Sequence, residues 1–164
     1  MSKHDLTDRE ISEGRDYVRR FCLWEKQFRG FPKSLSLDWK SIPAKKFNKE
    51  NLPNDKQGVY AFVVKPNIGN ITWGGYILYV GKTEKQVFQS RFLQYFNETK
   101  KDKPRFWVSE MLKLWKESLF YYYAETPAAD ADKIENALLE ALLPPNNEVF
   151  RGKLRNIKKE IYSR

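Results

Sequence analysis

The stretch GVYAFVVKPNIGNITWGGYILYVGKT, residues 58–83, holds two short apolar, aromatic runs separated by Pro, Asn and Gly. Residues 58–65 and 75–81 are rich in Val, Tyr, Ile and Phe, which suit a pleated, half-buried surface, and the segment from Pro66 to Gly74 has loop chemistry. The reading is a pair of antiparallel strands. Each run sets a tyrosine beside a glycine, Gly58-Val59-Tyr60 in the first and Tyr79-Val80-Gly81 in the second. Side chains alternate along a strand, so whether the two phenols share a face depends on the register, which the sequence leaves open.

Downstream of the hairpin, TEKQVFQSRFLQYFNE (83–98) places Phe88, Phe92 and Phe96 at i, i+4 and i+8. Val87, Arg91 and Tyr95 form a neighbouring stripe with the same spacing, so Arg91 and Tyr95 share a helix face, and Thr83 is the expected cap. Residues 104–116 read as a second helix, with Pro104 in its first turn and Phe106, Met111, Leu112 and Trp115 as the buried stripe. SLFYYYAE (118–125) reads as a third strand, with Tyr121, Tyr122 and Tyr123 structural. AADADKIENALLEALL (128–143) is acidic at its start, apolar at Ile134, Leu138, Leu139 and Leu142, and stopped by Pro144-Pro145. On this helix Glu135 borders the apolar stripe and Glu140 lies opposite. The tail RGKLRNIKKEIYSR (151–164) reads as a last basic helix with Leu154, Ile157 and Ile161 turned inward.

Upstream, TDREISEGRDYVRRFCLWEKQFR (7–29) spaces Ile11, Val18, Phe21, Cys22 and Phe28 as one amphipathic helix, with Thr7 as N-cap and Glu10 completing a capping box. From Gly30 to Gln57 three prolines and scattered lysines read as an ordered connection with at most one short element, and a boundary falls near residue 55. The expected architecture is α+β: a small antiparallel three-stranded sheet flanked by helices, with an extra N-terminal helix. Residues 1–55 form the helix and connection, 56–148 the central unit, and 149–164 the basic tail.

The composition bounds the chemistry. The 164 residues carry 30 Lys and Arg against 21 Asp and Glu, a net charge of +9, and 15% aromatic residues. Such a chain folds, and its surface suits a polyanion, with nucleic acid the first candidate. The only cysteine, Cys22, forms no internal disulfide, and the only histidine is His4. This ligand count excludes a zinc finger and leaves no Ser-His-Asp or Cys-His catalysis unless His4 is recruited, so acid-base work falls to carboxylates, phenols or lysines. The N-terminus is too polar for a signal peptide, and no run approaches the roughly 18 apolar residues of a membrane helix, so the chain reads as cytoplasmic with no membrane partner.

Taken in order, Gly58-Val59-Tyr60, Tyr79-Val80-Gly81, Lys82, Arg91, Tyr95 and the late ENALLEALLPPNN (135–147) resemble the GIY-YIG nuclease superfamily over roughly residues 56–148. Each name motif carries an Ile to Val change. Glu135, Leu138, Leu139, Pro144 and Asn147 match the family's glutamate, leucine pair, proline and asparagine. Arg91 lies ten residues after Gly81, so a long turn must precede its helix if it is to face the site.

The resemblance implies a metal-dependent DNA endonuclease that hydrolyses phosphodiester bonds. Glu135 then binds one divalent cation, Mg²⁺ with Mn²⁺ as the alternative, and Arg91 stabilises the transition state. Tyr60 is the candidate general base, helped by Lys82 or acting by aligning a water; Tyr79 and Tyr95 bond phosphate or water, and Gly58, Gly81 and Asn147 support. A binding module on the same fold that no longer cuts, and a structure-specific or RNA-directed nuclease, are the competing readings. Duplex DNA is the expected partner, RNA and a homodimer remain open, and phosphate contacts carry no base information.

Overall fold

The computed structural model describes residues 8–66, 68, 75–150 and 153–162. His4, the Thr7 cap, most of the 66–74 loop and the Leu154 side chain lie outside the described residues. In chain order the elements are α1 (Asp8–Asp16), α2 (Glu25–Gly30), β1 (Lys40–Pro43), a 3₁₀ turn (Lys46–Asn51), β2 (Gly58–Val64), β3 (Tyr76–Lys82), α3 (Phe88–Glu98), α4 (Phe106–Leu114), β4 (Leu119–Glu125), α5 (Ala128–Leu142) and α6 (Lys153–Tyr162). Among them no helix is long and apolar enough to cross a membrane.

The fold is α+β, and its sheet has four antiparallel strands in the order β1-β4-β2-β3 rather than three. The added strand is β1, taken from the stretch read as a connection. It is four residues long, ends on Pro43 and pairs only with β4. A proline is tolerated there because an edge strand keeps one side free of ladder bonds.

The single N-terminal helix expected over residues 7–29 is instead two short helices with residues 17–24 between them. Contacts to the body of the protein override the local helical pattern. The Tyr17 ring meets Trp115 and the Phe21 ring meets Tyr76, while the Arg19 guanidinium lies 5.2 Å from the Trp107 ring centre and 4.8 Å from that of Trp115.

The register sorts the side chains onto two faces. Tyr60 pairs with Gly81 and Phe62 with Tyr79, whereas Val63 pairs with Ile77, so Leu78 is an extra residue on β3. This bulge turns Leu78 onto the same face as Tyr60 and Phe62. Phe88, Phe92 and Tyr95 of α3, with Val108 and Met111 of α4, pack on that face around Tyr121. Burying Phe88 and Phe92 fully stabilises by roughly 1.5–3 kcal/mol each. On the opposite face Val59, Ala61, Val63 and Val80 pack against Ile134, Leu138 and Leu139 of α5.

Three further details depart from the sequence reading. Helix α3 begins at Phe88, not at Thr83, whose hydroxyl instead accepts a 2.9 Å bond from the Gly58 N–H and ties the two motif ends together. Helix α4 begins after Arg105 with Phe106 exposed rather than buried. In α6 Ile157 is half-buried as expected but Ile161 is exposed, and Lys158 and Tyr162 also reach inward.

Candidate active site

Tyr60 stands at the centre of the tyrosine-lined face with no exposed surface. Its hydroxyl shares a 2.7 Å hydrogen bond with the Tyr95 hydroxyl and accepts a 2.9 Å bond from Nε of Arg91. The turn over residues 83–87 absorbs the long spacing after Gly81, and Arg91 faces the hairpin. Arg91 Nη1 also donates to Gln94 Oε1 at 2.9 Å, which fixes the plane of the guanidinium. Burial raises the phenol pKa of Tyr60, and Tyr79 adds to the effect while Arg91 opposes it; burial raises Tyr95 as well. Burial works against the Arg91 charge, but the Tyr60 and Tyr95 phenols more than offset it and hold the group in its charged form.

The glycines of the two motifs are there for clearance. A Cβ on Gly81 would lie 2.5 Å from Cζ and the hydroxyl oxygen of Tyr60, and one on Gly58, at φ 155°, would lie 2.2 Å from the Ala124 carbonyl oxygen. Tyr79 lies on the same face as Tyr60, with ring centres 6.5 Å apart and planes 22° from parallel. The register that the sequence left open thus places both phenols together.

Unlike Tyr60, Tyr79 reaches a cleft of about 260 Å³ at the open edge of β3, lined also by Arg105, Trp107, Glu135 and Asn146. Glu135 comes to this cleft from α5, on the other side of the sheet, with its side chain 19% exposed. An edge strand is where groups from opposite faces can meet. Lys82 also extends from the α5 side, opposite Val59, and its ammonium pairs with Glu84 and Asp132 and lies 3.9 Å from Glu135 Oε2. Burial works against that charge, and the Asp132 and Glu84 carboxylates more than offset it. Lys82 therefore neighbours Glu135, not the Tyr60 hydroxyl, whose cationic neighbour is Arg91.

Asn147 ties the turn after α5 to the backbone of β3. Its Oδ1 accepts the Val80 N–H at 2.9 Å and its Nδ2 donates to the Val80 carbonyl at 2.7 Å, so one side chain completes the β3 ladder in place of a further strand. Leu143, in the left-handed conformation at φ 42°, ends α5 and turns the chain so that the Asn146 N–H also meets β3, at the Leu78 carbonyl.

Three residues, Arg105, Trp107 and Lys158, belong to this region without having been singled out, and Asn146, the neighbour that competes with Asn147 for its place in the motif, belongs to it too. Arg105 sits with its guanidinium 5.5 Å from the centre of the Tyr95 ring, on which Arg91 also lies, at 5.4 Å. No spacing rule marks it, since it lies outside the helical stripes. Trp107 and Asn146 line the cleft, and Asn146 Oδ1 is buried without a hydrogen-bond partner among the described residues. Lys158 of α6 donates to the carbonyls of Pro144, Pro145 and Asn147, and burial pushes its pKa down to about 8. Its signal was available: it is the one cation set four residues after Leu154 in the apolar stripe of the tail.

The donors around the cleft are hard oxygens: the Glu135 and Glu148 carboxylates, the Tyr79 phenol and the orphaned Asn146 amide oxygen. Among the described residues no group of three or more His, Cys, Asp or Glu could hold a metal ion. The set fits a cation such as Mg²⁺, which accepts one or two carboxylates and completes its shell with water and phosphate oxygens. It lacks the His and Cys ligands that usually make up a zinc site. Neither a family model, nor a curated protein, nor a solved structure matches this chain.

Proposed function

We propose that the protein is a nuclease of the GIY-YIG kind, hydrolysing phosphodiester bonds of nucleic acid at the cleft beside β3. The observation that carries the reading is the convergence of Tyr79, Glu135 and Arg105 on one cleft, backed by the hydrogen-bonded Tyr60–Arg91–Tyr95 cluster. Tyr79 and Glu135 line the cleft, Lys82 reaches Glu135, and the Tyr60–Arg91–Tyr95 cluster stands behind the Tyr79 ring, so the motif residues fall in two adjoining groups.

Arg105, whose Nε lies 3.7 Å from Glu98 Oε2, supplies positive charge at the cleft, Arg91 adds its own beside the Tyr95 ring that both contact, and guanidinium forks match non-bridging oxygens. Tyr60, with no exposure, does not touch water; it holds Arg91 and backs the Tyr79 ring. Tyr79 is the phenol that reaches the cleft and orients the attacking water. Glu135, with Asn146 beside it, would hold the cation, which when bound neutralises charge on the phosphate and the leaving oxygen. Lys82, 3.9 Å from Glu135 Oε2, helps hold that carboxylate in place. Asn147 fixes β3, and with it Tyr79, against the end of α5.

The test is a labelled oligonucleotide presented as single strand, duplex and flap, incubated with Mg²⁺ or with EDTA. Cleavage of at least one form in Mg²⁺ and of none in EDTA is expected; intact substrate in every form, with Mn²⁺ as well as Mg²⁺, overturns the proposal. Binding should weaken steeply between low and moderate salt, as a surface with a net charge of +9 releases counterions from the phosphates.

A further inference from the structure

The run Arg105-Phe106-Trp107 borders the cleft and places three different chemistries side by side. Arg105 and Trp107 line the cavity that holds Tyr79 and Glu135. Between them Phe106 is 60% exposed, although the rest of α4 turns Val108, Met111 and Leu112 into the core. Its ring is held edge-on to Trp107, with centroids 4.9 Å apart and planes at 74°. Trp107 is itself fixed by the Arg19 guanidinium, so Phe106 is braced on one side while most of its surface is open. Across the same cavity Val149, 77% exposed, forms a second apolar rim.

A large ring left in water beside an arginine, on a chain of net charge +9, calls for an occupant with a flat apolar face and a negative charge one bond network away. A nucleobase and its phosphate have that chemistry. A base inside a continuous duplex does not offer its face, because both faces are stacked on neighbours; only an unpaired nucleotide does. We propose that Phe106 is a stacking platform for an unpaired nucleobase and Arg105 the contact for its adjoining phosphate, so that the substrate is a strand with an unpaired nucleotide at the cleavage point. This rests on the reading of the cleft as a phosphodiester site and names the class of strand that the site accepts. The uncharged Phe106 carries selectivity for an unpaired base, and Arg105 carries affinity for any phosphate.

The experiment uses the full chain in EDTA, so that binding is read without cleavage, and a single-stranded oligonucleotide of about twelve nucleotides with 2-aminopurine at its centre, beside a duplex of the same sequence. Wild-type protein is expected to quench the 2-aminopurine fluorescence on binding. Phe106→Ala should abolish the quench and weaken single-strand binding about tenfold, with duplex affinity unchanged, and Phe106→Trp should restore both. Arg105→Gln should weaken both forms alike and reduce the salt slope by about one. Unchanged single-strand binding and quenching in Phe106→Ala, an equal loss for both forms, or no quench by wild-type protein would overturn the proposal. The nuclease reading fails separately: a protein that shows the quench and its Phe106 dependence but cleaves no form in Mg²⁺ stacks the base without cutting the strand.

Discussion

Strands β2, β3 and β4 serve two faces that differ in kind. Against α5 the buried centre of the face is aliphatic, built from Val59, Ala61, Val63 and Val80, and its polar side-chain atoms, on Trp39, Tyr122 and Lys82, stay at the half-buried margin. Against α3 it is aromatic, and Tyr60, Tyr79, Tyr95, Tyr121 and Tyr123 bring five hydroxyls into or beside the core. Burial of the first kind is limited only by volume, whereas burial of the second must also satisfy each phenol. The tyrosine face meets this cost selectively: the Tyr60 hydroxyl has two partners, and the Tyr121 hydroxyl has none among the described residues. Both faces bury apolar surface, but the phenols and Arg91 of the candidate site lie on the tyrosine face, where a polar group can be lost without opening a cavity. Glu135, which crosses from one to the other at the β3 edge, is the exception that joins them.

If this division is right, substitutions on the two faces should fail in different ways. The largest effect belongs to Arg91→Ala, which should slow cleavage by about 10²–10³-fold, the loss typical of one preorganised donor, while the lost bond to Tyr60 costs only about 1–3 kcal/mol of stability. Steady-state rates and a thermal melt on the same preparation check it. A folded Arg91→Ala protein that cleaves at the wild-type rate would break the assignment of chemistry to that face. Next is Leu138→Ala, on the α5 face, which should cost about 2–5 kcal/mol of stability by denaturant titration, with kcat unchanged at temperatures where the variant is folded.

The smallest effects sharpen the contrast between two tyrosines. Tyr60→Phe removes a hydroxyl with two partners and should cost about 1–3 kcal/mol, whereas Tyr121→Phe removes an unpartnered one and should be neutral or slightly stabilising. Burial raises the pKa of Tyr60, Tyr95 and Tyr121, so above pH about 10 the unfolded chain loses phenolic protons that the folded chain keeps. The stabilising contribution of these groups is complete below that pH and is lost as pH rises. Stability should therefore fall above pH about 10, less steeply in Tyr60→Phe, as urea titrations at several pH values would show.

The parts of this arrangement legible in the sequence are those with strong periodic or motif signals. The hairpin, the acidic start of α5, the opposed settings of Glu135 and Glu140 and the shared face of Arg91 and Tyr95 all follow from spacing. What escaped depends on contacts distant in the chain. Strand β1 is four residues of Lys, Ser, Ile and Pro, with no alternation long enough to read, and it exists because β4 offers it an edge. The break between α1 and α2 is set by Trp107, Trp115 and Tyr76, roughly 50 to 100 residues away in sequence, which a local helical pattern cannot register. The exposure of Phe106 depends on where α4 begins, one of the least predictable features of a helix. Register, and with it the meeting of Tyr60 and Tyr79, rests on a bulge at Leu78 that no residue type announces.

The central claim is that the cleft cuts nucleic acid through a cation held by Glu135, and Glu135→Gln tests it most directly. The substitution keeps size and hydrogen bonding but removes the charge that attracts the cation. Cleavage of the labelled oligonucleotides in Mg²⁺ is measured beside their binding in EDTA, with the exposed Glu140→Gln as control. The account predicts that cleavage by Glu135→Gln vanishes, that its binding is retained or strengthened as a negative charge leaves the phosphate path, and that Glu140→Gln matches wild type. Full cleavage by a folded Glu135→Gln protein would contradict it.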